Sequence, residues 1–300
     1  MYLSKAVSLH LGSLPQPVVT RYELGTLVYQ LYLAKKFRGQ PVRVSKDAPE
    51  PQDLSNVIKL LLDQGVLSHD RNFPKKGVFR VLGKQEAAIE DIVCTVDPFA
   101  FVSHLSAMDY HGLTDRLPRP LYWSSPVDKK WKDLALERMQ KDCEGFLDDY
   151  LRGGFPHLRR IRMHRIAQRP VERRGVSEFR GAYRTVRGRA FRVATIGRTF
   201  LDMVREPVLC GGMSHVLDVF EQHAKSYLKL IVTEIDQWGS PIDKVRAGYI
   251  LEERCDVEDR TVQQWLKYAQ RGGSRRLDAK AEYSSEYSER WSLSLNVLGA

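Results

Sequence analysis

Residues 53–83 read DLSNVIKLLLDQGVLSHDRNFPKKGVFRVLG. Leu54, Val57, Ile58, Leu61 and Leu62 recur at steps of three and four, so one side of a helix is apolar. Asp53 stands where a capping side chain belongs, and Gly65 closes the helix at a position that favours glycine. Val66-Leu67 then opens a strand, NFPKKG makes a basic turn, and VFRVL returns as a second strand. Upstream, TRYELGTLVYQLYLAKKF has Thr20 and Glu23 at capping-box spacing, with Leu24, Leu27, Val28 and Leu31 on one buried face. Helix, helix and two-stranded ribbon in this order predict a winged helix-turn-helix over residues 1–83. Residues 1–17 read as an extended arm, and the proline-broken stretch FRGQPVRVSKDAPEPQ gives no helix. Gln52, Ser55 and Asn56 are then the positions for base edges. Lys59, Arg71, Lys75, Lys76 and Arg80 are the positions for phosphates.

A second domain follows over residues 84–300, with a sheet part over about 84–195, a helical part over about 196–270 and a terminal strand over about 290–297. GKQEAAIEDIVCTVDP is a short helix, and SHLSAMDYHGL is another, stopped by Gly112. Leu121–Ser124 is a short strand. LALERMQKDCEGFLDDYLRG reads as one amphipathic helix, whereas HLRRIRMHRI alternates apolar and basic residues. With the strands of GAYRTVRGRAFRVAT, this predicts a sheet with one apolar and one arginine-covered face. GRTFLDMV, SHVLDVFEQHA, SYLKLIVTEIDQW, IDKVRAGYILEERC and EDRTVQQWLKYAQ are separate helices. YSSEYSE is a loop, and RWSLSLNV alternates as a strand. The fold class expected is mixed α+β.

The formal net charge is +10. From Arg152 to Arg192 there are thirteen arginines, no lysine and two glutamates, a balance of +11. Residues 1–83 add twelve Lys/Arg against six Asp/Glu. Such asymmetry points to a polyanionic partner, nucleic acid first. Arg159, Arg160, Arg162, Arg173, Arg174, Arg180, Arg184, Arg187 and Arg189 are expected to extend the footprint on DNA. No run approaches the roughly 18–20 apolar residues that span a bilayer. The N-terminus MYLSKAVSLHLGSLP lacks a charged segment followed by a clean apolar run, so no secretion signal is read. Cys94, Cys143, Cys210 and Cys255 are far apart with no CxxC pair. That argues against structural disulfides or zinc and fits a cytoplasmic chain.

The stretch VSHLSAMDYHGLTDRLP gathers Ser103, His104, Asp109 and His111. A serine triad needs an exposed serine and a base oriented by an acid, whereas these are neighbours on one short helix. No GxSxG, HExxH or GxxxxGK[ST] pattern occurs. Structural roles follow: Ser103 as N-cap, and His111 packed or hydrogen-bonded at the helix end. A nuclease would need clustered carboxylates for magnesium beside the basic surface. Asp148-Asp149 and Glu252-Glu253 are the available pairs, and neither makes a D…ExK pattern.

DPFAFVSHLSAMDYHGLTDRLPRPLYWSS resembles the central signature of the AbiEi family, the antitoxins of AbiE-type (type IV) toxin–antitoxin systems. FRVATIGRTFLDMVREPVLCGGMSHVLDVFE is similar to a second segment of that family, KVRAGYILEE to a later helix, and RWSLSLNV to its closing strand. The resemblance covers roughly residues 84–297. It implies an N-terminal winged helix that represses its own operon at inverted repeats in double-stranded DNA. It also implies a C-terminal domain that counters a nucleotidyltransferase toxin without a stable complex, with no enzymatic activity, metal or cofactor. Ser103, Ser106, His111, Gly112, Arg198, Thr199 and Asp202 match its recurring letters and take folding roles. Arg198 and Asp202 have the spacing of a helical ion pair. The expectation is therefore a non-enzymatic autorepressor and antitoxin, with no contact to membranes. A metal-dependent nuclease and a basic protein-interaction module are the alternatives.

Overall fold

A computed structural model describes residues 1–74, 77–84, 88–177, 183–269 and 275–297. The chain begins as a helix, α1 (Leu3–Ser13), not as an extended arm. Leu3, Val7 and Leu11 lie four residues apart. Val7 and Leu11 are buried together with Ala6, so the segment gains by coiling one apolar stripe into the core. β1 (Val18–Thr20) leads into α2 (Arg21–Ala34), whose capping box forms as read. Glu23 N donates to Thr20 Oγ1 at 3.2 Å, and Thr20 N donates to Glu23 Oε2 at 2.7 Å. The proline-broken stretch holds a small hairpin, β2 (Lys36–Phe37) and β3 (Gln40–Pro41).

α3 (Pro51–Asp63) buries Leu54, Val57, Ile58 and Leu61, as the periodicity requires, whereas Leu62, expected with them, is only half-buried. Its cap is not Asp53. The helix starts earlier, with Glu50 at the N-cap and Pro51 at the first helical position, where a missing N–H costs nothing. Asp53 instead reaches back to accept from Glu50 N at 2.8 Å. Gly65 follows the helix at φ +69°. β4 (Leu67–His69) and β5 (Val78–Val81) then form the ribbon. Both β4 and β1 pair antiparallel with β5, giving the order β1-β5-β4. α4 (Ile89–Val96) comes next.

β6 (Phe101–Val102), α5 (His104–Tyr110) and β7 (Leu121–Pro126) occupy the motif region, with Gly112 at φ +65° just past α5. The single amphipathic helix read over 134–153 is two helices, α6 (Asp128–Asp142) and α7 (Leu147–Arg152). Gly145, at φ +84°, makes the break in a left-handed conformation that glycine adopts without penalty. The alternation read over 157–166 pairs as a strand only at β8 (Arg165–Ile166), followed by β9 (Arg169–Val176). Along β9 the run Glu172, Arg173, Arg174 is exposed and only Val171 is buried, so the apolar and arginine faces do not alternate cleanly. β10 (Tyr183–Thr185) and β11 (Arg192–Ala194) complete a six-stranded sheet of order β10-β11-β6-β7-β9-β8.

The remainder is mainly helical. α8 (Ile196–Arg205) precedes α9 (Met213–Trp238), one 26-residue helix where two were expected. α10 (Pro241–Tyr249) runs into a π turn at Ile250–Arg254, and α11 (Arg260–Gln264) into a 3₁₀ turn. β12 (Tyr287–Ser288) and β13 (Leu293–Ser294) pair antiparallel. The fold is mixed α+β.

The chain divides into two units. Unit 1 is Met1–Phe101, Ser124–Phe179 and Thr185–Arg192; unit 2 is Val102–Trp123, Arg180–Arg184 and Val193–Ala300. The expected 1–83 domain lies wholly in unit 1, where it shares one core with Met139, Cys143, Tyr150 and Phe155. The expected 84–300 domain contributes to both units. Unit 2 has its own core around Phe200, Phe220, Ile231, Trp265 and Trp291. All four cysteines are free thiols, and burial pushes those of Cys94, Cys143 and Cys255 up to about 11. Among the described residues no helix is long and apolar enough to cross a membrane.

Candidate nucleic-acid interface

Gln52, Asn56 and Lys59 are exposed on α3. Steps of four and three place them on one stripe, opposite the buried Leu54–Ile58–Leu61 face. Gln52 Nε2 donates to Asn56 Oδ1 at 2.9 Å, which aligns two amides along the stripe. Ser55 is more committed: its hydroxyl donates to Pro51 O at 3.0 Å and accepts from Arg21 Nη2 at 3.1 Å. Lys59 makes no ion pair among the described residues.

The ribbon after α3 is held at its loop end by Asp70. This carboxylate is buried and pairs with Arg80 Nε at 2.8 Å, while Asn72 N and Nδ2 donate to its other oxygen at 2.8 and 2.7 Å. Arg80 is thus a strut of the ribbon. Arg71 is exposed nearby. Lys75 and Lys76 lie outside the described residues, as does Arg180.

The arginine tract splits by role. Arg160 turns inward: Nη2 donates to Pro126 O at 2.5 Å, Nη1 pairs with Asp128, and the guanidinium lies 5.0 Å from the Trp131 ring centre. Burial, with Arg173's charge nearby, holds its pKa below the usual arginine value. Arg173 also donates to Pro126 O at 2.5 Å. Arg189 forks onto Asp91 through Nε at 3.1 Å and Nη2 at 2.6 Å, and sits over Phe191. Arg192 donates to the carbonyls of Ala100, Asp97 and Cys94, tying down the chain after α4. Beside it, Asp97 is fully buried and accepts from Ser125 Oγ at 2.7 Å, Trp131 Nε1 at 3.0 Å and Phe99 N at 3.0 Å. Arg162 and Arg174 are exposed residues that have partners. Arg184 lies 5.8 Å from the Tyr110 ring centre. Arg159 and Arg187 are exposed and make no ion pair among the described residues.

In unit 2 the motif residues build a hydrogen-bonded framework. Ser103 occupies the N-cap position of α5, yet its side chain caps nothing. Its hydroxyl meets His104 Nδ1 at 2.8 Å, and His104 Nε2 meets Glu206 Oε2 at 3.1 Å. That order of groups matches a serine–histidine–acid array, but Ser103 is 0% and His104 1% exposed, so no substrate reaches the hydroxyl. Asp109 is exposed and outside the array. Glu206 lies 102 residues from His104, and nothing in that spacing links the two in the sequence. His111 Nε2 donates to Ala194 O at 2.7 Å, and burial lowers its pKa below the ordinary histidine value. Ser106 Oγ accepts from Tyr122 N at 2.9 Å. Arg198 Nε and Asp202 Oδ1 form the expected ion pair at 2.7 Å, buried within unit 2. Of the acidic pairs, Asp149 binds Arg152, Glu252 is clamped by Arg290 at 2.7 and 2.8 Å, and Glu253 accepts from Ser288 Oγ at 2.7 Å.

No family model and no curated protein matches the chain. Among solved structures, the crystal structure of the RV2827C protein from Mycobacterium tuberculosis is similar at 14% identity and a TM-score of 0.49. The similarity covers 97% of this chain and 90% of that one.

Proposed function

We propose that the chain is a DNA-binding transcriptional repressor whose α3 enters the major groove. The observation that carries this is the exposed Gln52–Asn56–Lys59 stripe on a helix whose other face is locked into a core. The element order supports it as well. Helix, strand, two helices separated by the small β2–β3 hairpin, and a two-stranded ribbon, with the first strand closing the small sheet, follows the sequence of parts in a winged helix-turn-helix apart from that inserted hairpin. α1 supplies the first helix of that plan. Asn56 and Gln52 offer the amide groups that pair with adenine edges, and Lys59 and Arg71 offer charge to phosphates. The likeness of the 97–125 and 191–221 motifs to AbiEi antitoxins supports an extension of the same proposal. In that extension the protein represses its own operon, counters a nucleotidyltransferase toxin and is itself no enzyme.

The test is a gel-shift titration with the DNA upstream of its own gene against a scrambled duplex, at two salt concentrations. A preference of order 10³ or more that survives the higher salt is expected. Asn56→Ala should relax that preference, while Lys59→Ala weakens both duplexes alike and lowers the salt slope by about 0.9. Equal, salt-sensitive binding to both duplexes by the unaltered protein would reject a sequence-specific regulator. Growth rescue on co-expression with an AbiE-type nucleotidyltransferase toxin tests the antitoxin half.

A further inference from the structure

A cleft of about 500 Å³ opens in unit 1 beside the first turn of α3; Arg21, Pro51, Gly77, Phe155, His157 and Arg159 contribute to its wall. Among the described residues its lining carries two guanidinium groups and an imidazole and no carboxylate. Arg21, His157 and Arg159 are all exposed, so an anion can meet them without desolvating a buried charge.

Both sides of the cleft are fixed. On one side, Arg21 N donates to Gly77 O at 2.7 Å, and its guanidinium reaches Ser55 Oγ, joining the start of α2 to the ribbon and to α3. Gly77, at φ +69°, brings its backbone against Arg21, where a Cβ would lie 3.0 Å from Arg21 Cβ. On the other side, Phe155 is buried and packs edge-on against Tyr29, and Tyr150 Oη donates to Pro156 O at 2.8 Å. α2 admits this segment only because residue 25 is glycine: a Cβ there would come within 2.7 Å of Tyr150 Oη and 3.1 Å of Pro156 Cδ. The opening of the arginine tract is therefore anchored beside α3.

We propose that this cleft is a phosphodiester clamp, in which Arg159 and Arg21 grip the DNA backbone flanking the groove that α3 enters. The clamp rests on the DNA-binding function proposed above, because α3 is what brings a polymer backbone to the cleft. It assigns the start of the tract to DNA and leaves Arg160, Arg173 and Arg189 as internal struts.

Arg159 is the clean position to vary, since Arg21 also holds Ser55. Fluorescence anisotropy on the upstream and scrambled duplexes, over a series of salt concentrations, gives the slope of log K against log salt. Arg159→Ala should lower that slope by about 0.9 on both duplexes and leave their ratio unchanged. Arg159→Lys, and Lys229→Ala on α9 as an exposed control, should keep the original slope, and unchanged melting curves exclude misfolding. If the unaltered protein binds the duplexes and Arg159→Ala has its full slope, the clamp is refuted and the DNA-binding function stands. If the unaltered protein binds neither duplex, the DNA-binding function fails and the clamp with it. Inorganic phosphate is titrated while the His157 ring resonances are followed. A response lost in Arg159→Ala, with the duplex slope intact, assigns the cleft to a free anion and also refutes the clamp.

Discussion

Gly248 and Trp291 illustrate what a single residue contributes. Gly248 is buried on α10, and the six-membered ring of the Trp291 indole lies where its Cβ would stand. Trp291 is fully buried, and its Nε1 donates to Glu252 Oε2 at 2.9 Å, so the ring has nowhere to retreat. Alanine ordinarily stabilises a helix by about 0.5–1 kcal/mol over glycine, but overpacking a filled core costs about 1–3 kcal/mol. Gly248→Ala should therefore destabilise the protein, in urea unfolding followed by tryptophan fluorescence. Gly12→Ala on α1, where a Cβ meets nothing within 4 Å, should not. Equal stability for both variants would mean that the indole does not fill that space. The sequence offers Gly248 only as a letter in KVRAGYILEE, because nothing local says which distant ring covers a glycine. Arg198 and Asp202 were legible for the opposite reason: their partnership is set by helical spacing alone.

At the scale of elements, periodicity was informative wherever one face is buried and local. α2 with its capping box, the apolar face of α3, and the ribbon stand where the sequence placed them. The misses have physical causes. In α6 and α7, apolar spacing continues across Gly145, so the pattern looks unbroken although the backbone turns at φ +84°. In 157–166, the alternation suggested a strand, but Arg160 turns inward to Pro126 O and Asp128. In α1, serines and a glycine disguised a stripe of Leu3, Val7 and Leu11. The helix makes a definite prediction there. Leu11 is 1% exposed, so Leu11→Ala should cost about 2–5 kcal/mol in chemical denaturation, the range for truncating a buried leucine. A solvated arm would tolerate the change within about 0.5 kcal/mol.

Across the whole molecule, counting charge located the tract but did not reveal its division of labour. Thirteen arginines lie between Arg152 and Arg192. Arg160, Arg173, Arg189 and Arg192 are nonetheless spent on carbonyls and carboxylates inside unit 1. Net charge reports a partner class without saying which side chains are left to meet it. The 1–83 boundary has the same weakness, since a motif ends at Gly83 but the core does not. Tyr29 of α2 stacks on Phe146 with centroids 4.9 Å apart, and also contacts the rings of Tyr150 and Phe155 at 5.4 and 5.1 Å. Tyr22 Oη donates to Asp142 Oδ2 at 3.0 Å. Each such ring pair adds about 0.5–1.5 kcal/mol beyond area burial. Three of them are a large share of a domain stability of about 5–15 kcal/mol. The fragment 1–83 alone would expose Tyr22 and Tyr29 of α2, which lose Asp142, Phe146, Tyr150 and Phe155 as partners. It is therefore expected to melt without a cooperative transition by circular dichroism and, under the proposed function, to show no preference for the upstream duplex. A fragment that melts cooperatively at the temperature of the full chain would show that the 139–155 segment only decorates a core already complete by residue 83.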